Sequence, residues 1–274
     1  MSKNNSFISF ERVSYYYSGI KEPAISDIDA TIQRGEFIAI LGANGSGKST
    51  LARHMNALLL PSKGKVSVCG LDSQKDMKKV REKVSMVFQN PDNQLVATLV
   101  EEDVAFGPEN LGVSSTEIRQ RVKESLLQVG LWGMKDKQPH MLSGGQKQRL
   151  AIAGALAMHA ECMVLDEPTA MLDPKGRNEV LSLLLQLKKQ KQVTLVLITH
   201  LMEEAFLADK IWVMKYGKLI AQDLPRKIFG NLSLLDEAGL EPLESIKFAE
   251  TLRQAGCSIG FPFTMDELVD YICQ

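Results

Sequence analysis

Phe37-Ile38-Ala39-Ile40-Leu41-Gly42-Ala43-Asn44-Gly45-Ser46-Gly47-Lys48-Ser49-Thr50 is the stretch from which the fold can be read. Its first five residues are apolar without alternation, which predicts a strand buried on both faces, as in a parallel sheet. Gly42, Gly45 and Gly47 let backbone N–H groups turn inward without Cβ clashes. The helix predicted after Gly47, through Leu51–Leu59, adds the positive end of its dipole. Strand, glycine-rich loop and helix in this order form a cradle for phosphate. Lys48 brings a point charge to the β- and γ-phosphates, and the Ser49 hydroxyl can bind Mg²⁺. A glycine-rich turn with a chance lysine is the alternative, and the three elements in one register argue against it.

Outward from this stretch, short apolar runs alternate with helical patterns, which gives an α/β fold with a mostly parallel sheet. Strands are expected at Phe7–Val13, Glu36–Leu41, Val84–Phe88, Cys162–Leu165 and Thr194–Ile198, with a hairpin of Ile211–Lys215 and Lys218–Ala221 turning at Tyr216-Gly217. A helix over Ser115–Val129, with Ser115 as N-cap, carries the stripe Ile118, Val122, Leu126 and Val129. Another opens at Pro174. After about Gly230 the texture becomes short amphipathic helices, Leu243–Gln254 and Thr264–Cys273, with no strand evident. The boundary falls near Pro225–Asn231.

The run Cys162–Leu165 ends in Asp166-Glu167. Carboxylates at the C-terminal end of a parallel strand face the ligand crevice of an open sheet. Asp166 can hold Mg²⁺ and Glu167 can polarise an attacking water as general base. An acidic turn leaving a strand is common by itself, but beside a phosphate loop it points to chemistry. A second anion-binding turn lies far along the chain. Leu142-Ser143-Gly144-Gly145-Gln146 opens a helix over Lys147–Met158, with Ser143 as N-cap and two glycines exposing N–H groups. One nucleotide does not need two such turns from one subunit. Two subunits placed head to tail, each lending its second turn to the other's γ-phosphate, would use both, whereas the turn viewed alone reads more simply as a capped helix with no ligand.

Composition is that of an ordinary globular chain of 274 residues, 45% hydrophobic and 24% charged. With 32 Lys+Arg against 33 Asp+Glu there is no basic field, so nucleic acid is not an expected partner. Cys69, Cys162, Cys257 and Cys273 are too scattered for a zinc knuckle and suit a reducing compartment. The N-terminus lacks a signal-peptide pattern and no apolar run approaches the ~20 residues of a spanning helix. A soluble chain is expected, one that reaches a membrane by binding something already there.

These motifs and their order resemble the ABC-transporter ATPases from about Phe7 to Lys227. Gly42–Ser49 resembles the Walker A motif, Leu142–Gln146 is identical to the family signature, and Cys162–Glu167 resembles Walker B with its catalytic glutamate. Gln89 is similar to the Q-loop glutamine, which senses Mg²⁺ and couples to the membrane partner. His200 is similar to the switch histidine at the γ-phosphate, and Leu172-Asp173 to the D-loop, though Ala170-Met171 departs from the usual residues before it. Tyr17 stands where the family stacks an aromatic on adenine, with Tyr15 and Tyr16 adjoining, so the register stays open. By themselves, Gln89, His200 and the tyrosines would read as a loop amide, a packed imidazole and sheet packing. The resemblance implies ATP and Mg²⁺ as ligands, with Tyr17, Gly42, Asn44, Gly45, Ser46, Gly47, Lys48, Ser49 and Thr50 of one subunit and Ser143, Gly144, Gly145 and Gln146 of the other around the nucleotide. Ser49, Gln89 and Asp166 would serve the metal, and Glu167, His200, Lys48 and Gln89 the hydrolysis.

A narrower resemblance lies in Gln89-Asn-Pro-Asp-Asn-Gln94, Val100–Gly107 and Met171-Leu172-Asp173-Pro174 with Gly176-Arg177. It is to the ATPases of energy-coupling factor (ECF) transporters, the CbiO-like branch. It implies a P-loop NTPase of ABC ATPase type, with a RecA-like core, an antiparallel β subdomain and a helical signature subdomain near 90–160. Residues 1–228 would form the ATPase domain and 229–274 a small helical extension that steadies the dimer. The implied function is an ATP hydrolase on the cytoplasmic face of the membrane, energising import of vitamins or Co²⁺/Ni²⁺. Its partners would be a second ABC ATPase, identical or related, a transmembrane coupling subunit and a substrate-binding membrane subunit. The alternatives are another ABC transporter's ATPase or a non-transport ABC ATPase. The latter has a coiled-coil insertion in repair proteins and a tandem domain in translation factors, and neither pattern occurs here.

Overall fold

The structure, a computed structural model, describes residues 6–190, 193–257 and 259–273. In chain order it runs β1 (Ser6–Tyr15), β2 (Ile25–Gln33), β3 (Phe37–Leu41), α1 (Lys48–Met55), β4 (Lys63–Val68), β5 (Leu71–Asp72), α2 (Met77–Lys83), β6 (Val84–Val87), α3 (Val100–Asn110) and α4 (Ser115–Gln128). There follow α5 (Gly144–Ala157), β7 (Cys162–Asp166), α6 (Pro174–Gln190), β8 (Thr194–Ile198), α7 (Met202–Ala205), β9 (Lys210–Lys215) and β10 (Lys218–Asp223). The end is helical, as α8 (Pro225–Phe229), α9 (Leu232–Ala238), α10 (Glu244–Gln254) and α11 (Met265–Ile272).

Among the described residues the strands form two sheets, ordered β2-β1-β4-β5 and β10-β9-β3-β8-β7-β6. The first is antiparallel. The second is parallel from β9 to β6, with β10 antiparallel at its edge. Its central strands are buried on both faces, which is why they read as unbroken apolar runs. Phe37, Ala39 and Leu41 of β3 enter one core with Met163, Leu165, Leu195 and Leu197, shared with α3–α6. Ile38 and Ile40 enter the other with Val164, Val196 and Ile198, shared with α1 and the antiparallel sheet. The central sheet is thus clamped between helices on one side and sheet plus α1 on the other, and its C-terminal strand ends carry the loops of interest. Ile228, Phe229, Leu235, Ala238, Leu243 and Ile246 join the helical-side core, so the last helices begin as part of that layer.

Three local expectations are corrected. Ser114 and not Ser115 caps α4, its Oγ accepting the Glu117 N–H at 3.4 Å. The helix after Gly47 stops at Met55, because Ala57 turns left-handed at φ 54° and the N–H groups of Leu58 and Leu59 both donate to the Arg53 carbonyl. The helix expected over Lys147–Met158 begins at Gly144, so the glycines themselves form its first turn, and it ends at Ala157.

Candidate functional site

The phosphate loop joins β3 to α1. Gly47, at φ 100°, has no room for a side chain, since a Cβ there would lie 2.7 Å from the Ala24 carbonyl oxygen. The β9–β10 turn braces the loop from the outside, with the Gly217 N–H donating to the Ser46 carbonyl at 3.0 Å. Lys48 is buried and folds back over the loop, donating from Nζ to the carbonyls of Gly42 at 2.8 Å and Ala43 at 3.1 Å. Burial holds its ammonium below the ordinary lysine value, opposed by the charges of Glu167 and Asp166. The structure therefore presents a partly desolvated cation whose nearest compensation is dipolar, a strong attractor for a polyanion.

Asp166 ends β7 and accepts the Ser49 hydroxyl at 2.9 Å. Desolvation raises its pKa above the usual carboxylate value. Glu167 follows at φ 48°, a left-handed backbone uncommon outside glycine, held by its N–H on the Ile198 carbonyl at 2.9 Å. That twist turns its carboxylate out of the sheet. It accepts Gln89 Nε2 at 3.1 Å and lies 3.5 Å from His200 Nδ1. Three loops from the ends of β6, β7 and β8 thus converge on one carboxylate.

The cleft they border measures about 730 Å³, which suits a nucleotide-sized ligand. Tyr17, Ala24, the loop from Asn44 through Gly45, Ser46, Gly47, Lys48 and Ser49 to Thr50, Gln89, Glu167, Ala170 and His200 line it. Gly42 and Asp166 stand behind this lining, reaching it through Lys48 and Ser49. Of the three adjacent tyrosines, Tyr17 is the one in the cleft, its hydroxyl 3.1 Å from Thr50 Oγ1. Tyr15 instead packs edge-on against buried His54, and Tyr16 faces Lys63. The oxygens of Ser49 and Asp166, side by side at the mouth of the loop, are a hard donor set of the kind Mg²⁺ takes when it also uses phosphate oxygens.

The serine–glycine turn is elsewhere. Ser143 and Gln146 form a reciprocal cap at the start of α5, Ser143 Oγ accepting the Gln146 N–H at 3.3 Å and Gln146 Oε1 accepting the Ser143 N–H at 2.9 Å. The amide side chain of Gln146 is thereby used within its own turn. A second cleft, of about 450 Å³, is bordered by Ser143, Gly144, Gly145 and Gln146 with Met171, Leu172 and Asp173. The two clefts share no lining residue among those described, and the chain crosses from one to the other between Ala170 and Met171. Gly145 also has a packing reason, because a Cβ there would lie 3.1 Å from the Cα of Gly176 on α6.

Two features escaped the sequence. Asp92 pairs with Lys147 at 2.7 Å and Gln148 donates to the Phe88 carbonyl at 3.4 Å, tying the loop around Gln89 to the first turns of α5. Glu204 of α7 is 1% exposed although acids are seldom buried. Its only sequence signal was its place four residues after His200.

A family model described as ABC transporter matches residues 25–170. The chain is 50% identical over 277 residues to the energy-coupling factor transporter ATP-binding protein EcfA1 of Clostridium novyi (strain NT), covering 99% of both. It is 50% identical over 273 residues to the protein of the same name from Caldanaerobacter subterraneus subsp. tengcongensis, covering 97% of this chain and 99% of that one. Among solved structures it superposes on CbiO1 from Clostridium perfringens, described as part of the ABC transporter complex CbiONQ, with a TM-score of 0.76 and 40% identity over 85% of this chain and 94% of that one. The dimeric ATP-binding cassette MJ0796, in a post-hydrolysis state bound to ADP and Pi, gives a TM-score of 0.72 and 29% identity over 80% of this chain and 99% of that one.

Proposed function

This chain belongs to the ABC transporter family, and on that premise we propose that it is the ATP-hydrolysing subunit of an ECF-type importer of vitamins or of cobalt or nickel ions. The observation that carries the working principle is the separation of the two clefts. A triphosphate held by Lys48 lies in a cleft that Ser143 and Gly145 of the same chain do not line, and a mate placed head to tail would bring its own to it. Closure then depends on the γ-phosphate, because two helix N-termini and Lys48 converge on it.

Each residue has a task that follows from its setting. Tyr17 offers its ring to the adenine. The loop N–H groups from Gly45 to Thr50 take the phosphates, and Lys48 neutralises their charge. Ser49 and Asp166, with Gln89 alongside, would hold Mg²⁺, which when bound neutralises phosphate oxygens. Glu167 accepts the proton of the attacking water, and His200 fixes the direction of approach for in-line attack. Once the γ-phosphate is lost, the mate's serine–glycine turn loses its anion and the halves part. Gln89 and the stretch Asp92–Gly107 pass that movement to a transmembrane coupling subunit, which works with a substrate-binding membrane subunit.

In this scheme residues 1–228 are the ATPase body, with its helical part near 90–160, and 229–274 are an appendage that holds the two ATPases together. Phe248, Met265, Val269 and Ile272 of α10 and α11 are exposed apolar residues that suit such a contact. Among the described residues no helix is long and apolar enough to cross a membrane. In this scheme attachment to the cytoplasmic face runs through the membrane subunits.

Two measurements bear on this. Purification from detergent-solubilised membranes with this chain as bait is expected to yield a second ATPase chain, identical or related, and two kinds of integral membrane subunit. Recovery of soluble chains alone would refute the transport assignment. Tyr17→Ala is expected to weaken ATP binding about tenfold or more, the scale of a lost base–aromatic stack. Its turnover at saturating ATP should stay within about twofold of the parent, since the stack holds ground and transition states alike. Unchanged affinity would hand the adenine contact to another residue.

A further inference from the structure

We infer that Glu204 is a positioning residue for ATP hydrolysis, a buried carboxylate that binds the loop carrying Glu167 to the loop carrying His200. This rests on the ATPase function proposed above. Glu204 Oε1 accepts the Thr169 hydroxyl at 2.5 Å, and Oε2 accepts the Thr199 hydroxyl at 2.7 Å. Thr169 lies two residues after Glu167, and Thr199 immediately precedes His200. Each oxygen of one carboxylate is thus spent on a different one of the two loops.

The arrangement is costly unless it is used. A carboxylate 1% exposed forfeits most of its hydration, and here two hydroxyls and a loosely placed guanidinium replace it, Arg177 Nε lying 3.9 Å from Oε1. Thr199 Oγ1 is itself oriented, because it accepts the Leu201 N–H at 3.0 Å while donating to Glu204. The loop of Thr169 is a tight turn, with the Ala170 N–H on the Glu167 carbonyl and the Leu172 N–H on the Thr169 carbonyl.

The backbones of β7 and β8 already meet where the Glu167 N–H reaches Ile198. Beyond that point no backbone hydrogen bond joins the two loops among the described residues, and the Glu204 side chain touches both. What it fixes is the 3.5 Å approach of His200 Nδ1 to Glu167, the pair to which the proposed mechanism assigns the attacking water. Arg177, four residues past the crossing segment at Ala170–Asp173, connects α6 to the same carboxylate.

The test is a steady-state ATPase assay on Glu204→Gln, which keeps shape and volume but replaces one acceptor oxygen by a donor. kcat is expected to fall about ten- to a hundredfold, the scale of a sub-ångström misplacement, with KM for ATP within about threefold of the parent. Thr199→Val should lose turnover likewise and Thr199→Ser, which restores the hydroxyl, should recover it. The pair Glu204→Gln with Thr199→Val should be no worse than Glu204→Gln alone, as for two members of one bond. Turnover near the parent's in a folded Glu204→Gln overturns the inference, as do equal rates for the valine and serine variants. If Glu204→Gln does not fold, the valine–serine comparison decides. The parent assignment is judged separately on Glu167→Gln: full turnover there sinks the ATPase mechanism, whereas loss there with an unaffected Glu204→Gln sinks only the positioning role.

Discussion

Glu167→Gln is expected to bind Mg-ATP as tightly as the parent, to hydrolyse it at least ~10²-fold more slowly, and to accumulate as a nucleotide-dependent dimer. Glutamine keeps the volume of glutamate, and its carbonyl can still accept from Gln89 Nε2, now at 3.1 Å from the carboxylate. The left-handed backbone at φ 48° strains the two side chains equally, so the fold should not report the change. What glutamine cannot do is take a proton from water. In the proposed mechanism binding and closure draw on Lys48 and on the mate's Ser143 and Gly145, none of which this substitution touches. Sedimentation with and without Mg-ATP, beside a phosphate-release assay, checks both halves. Turnover within tenfold of the parent would remove Glu167 from the role of base. A monomer at saturating Mg-ATP, alone and with its natural partner chains, would remove the two-sided grip on the nucleotide.

Lys48→Ala attacks the preceding step and should abolish useful nucleotide binding, weakening ATP affinity about a hundredfold or more. The estimate follows from losing at least one charge-assisted contact to phosphate, each of about 1.5–3 kcal/mol, together with the field of a desolvated cation. Truncation also strips the Gly42 and Ala43 carbonyls of their donor. Lys48→Arg is not expected to restore function, because a planar fork cannot take the place of a compact ammonium inside a closed loop. Calorimetric titration with ATP checks the affinity, and a thermal melt without nucleotide separates a failed fold from a failed cradle. Normal affinity in a folded Lys48→Ala would mean that the phosphates sit elsewhere.

How much of this was legible depended on how each element is buried. β3, β7 and β8 are covered on both faces and declared themselves as apolar runs, and the residues at their ends followed from them. The antiparallel sheet was harder. β1 and β2 slip register near Arg12 and Asp27, both at positive φ, so Phe10 and Val13, or Ile25 and Ile28, sit three apart instead of two. A period-2 pattern breaks at such bulges, so β2 does not stand out as a strand. α3 does not declare itself as a helix either, because Pro108 lies within it. Tyr17 could not be told from its neighbours until the cleft placed it. Glu204 was invisible for a different reason, since nothing in a Glu-Glu pair on a short helix tells which of the two goes inside.

The meeting of Gly145 with Gly176 has a mechanical outcome. Most helix pairs touch through side chains, which can change rotamer and let one cylinder roll over the other. Here main chain lies against main chain between the start of α5 and the start of α6, and one turn further along Arg149 of α5 pairs with Glu179 of α6 at 3.2 Å. The cap at Ser143, through the first turn of α5, and the segment at Met171–Asp173 are thereby held against each other along one cleft. In the proposed dimer, a mate that takes hold of either one would take hold of both.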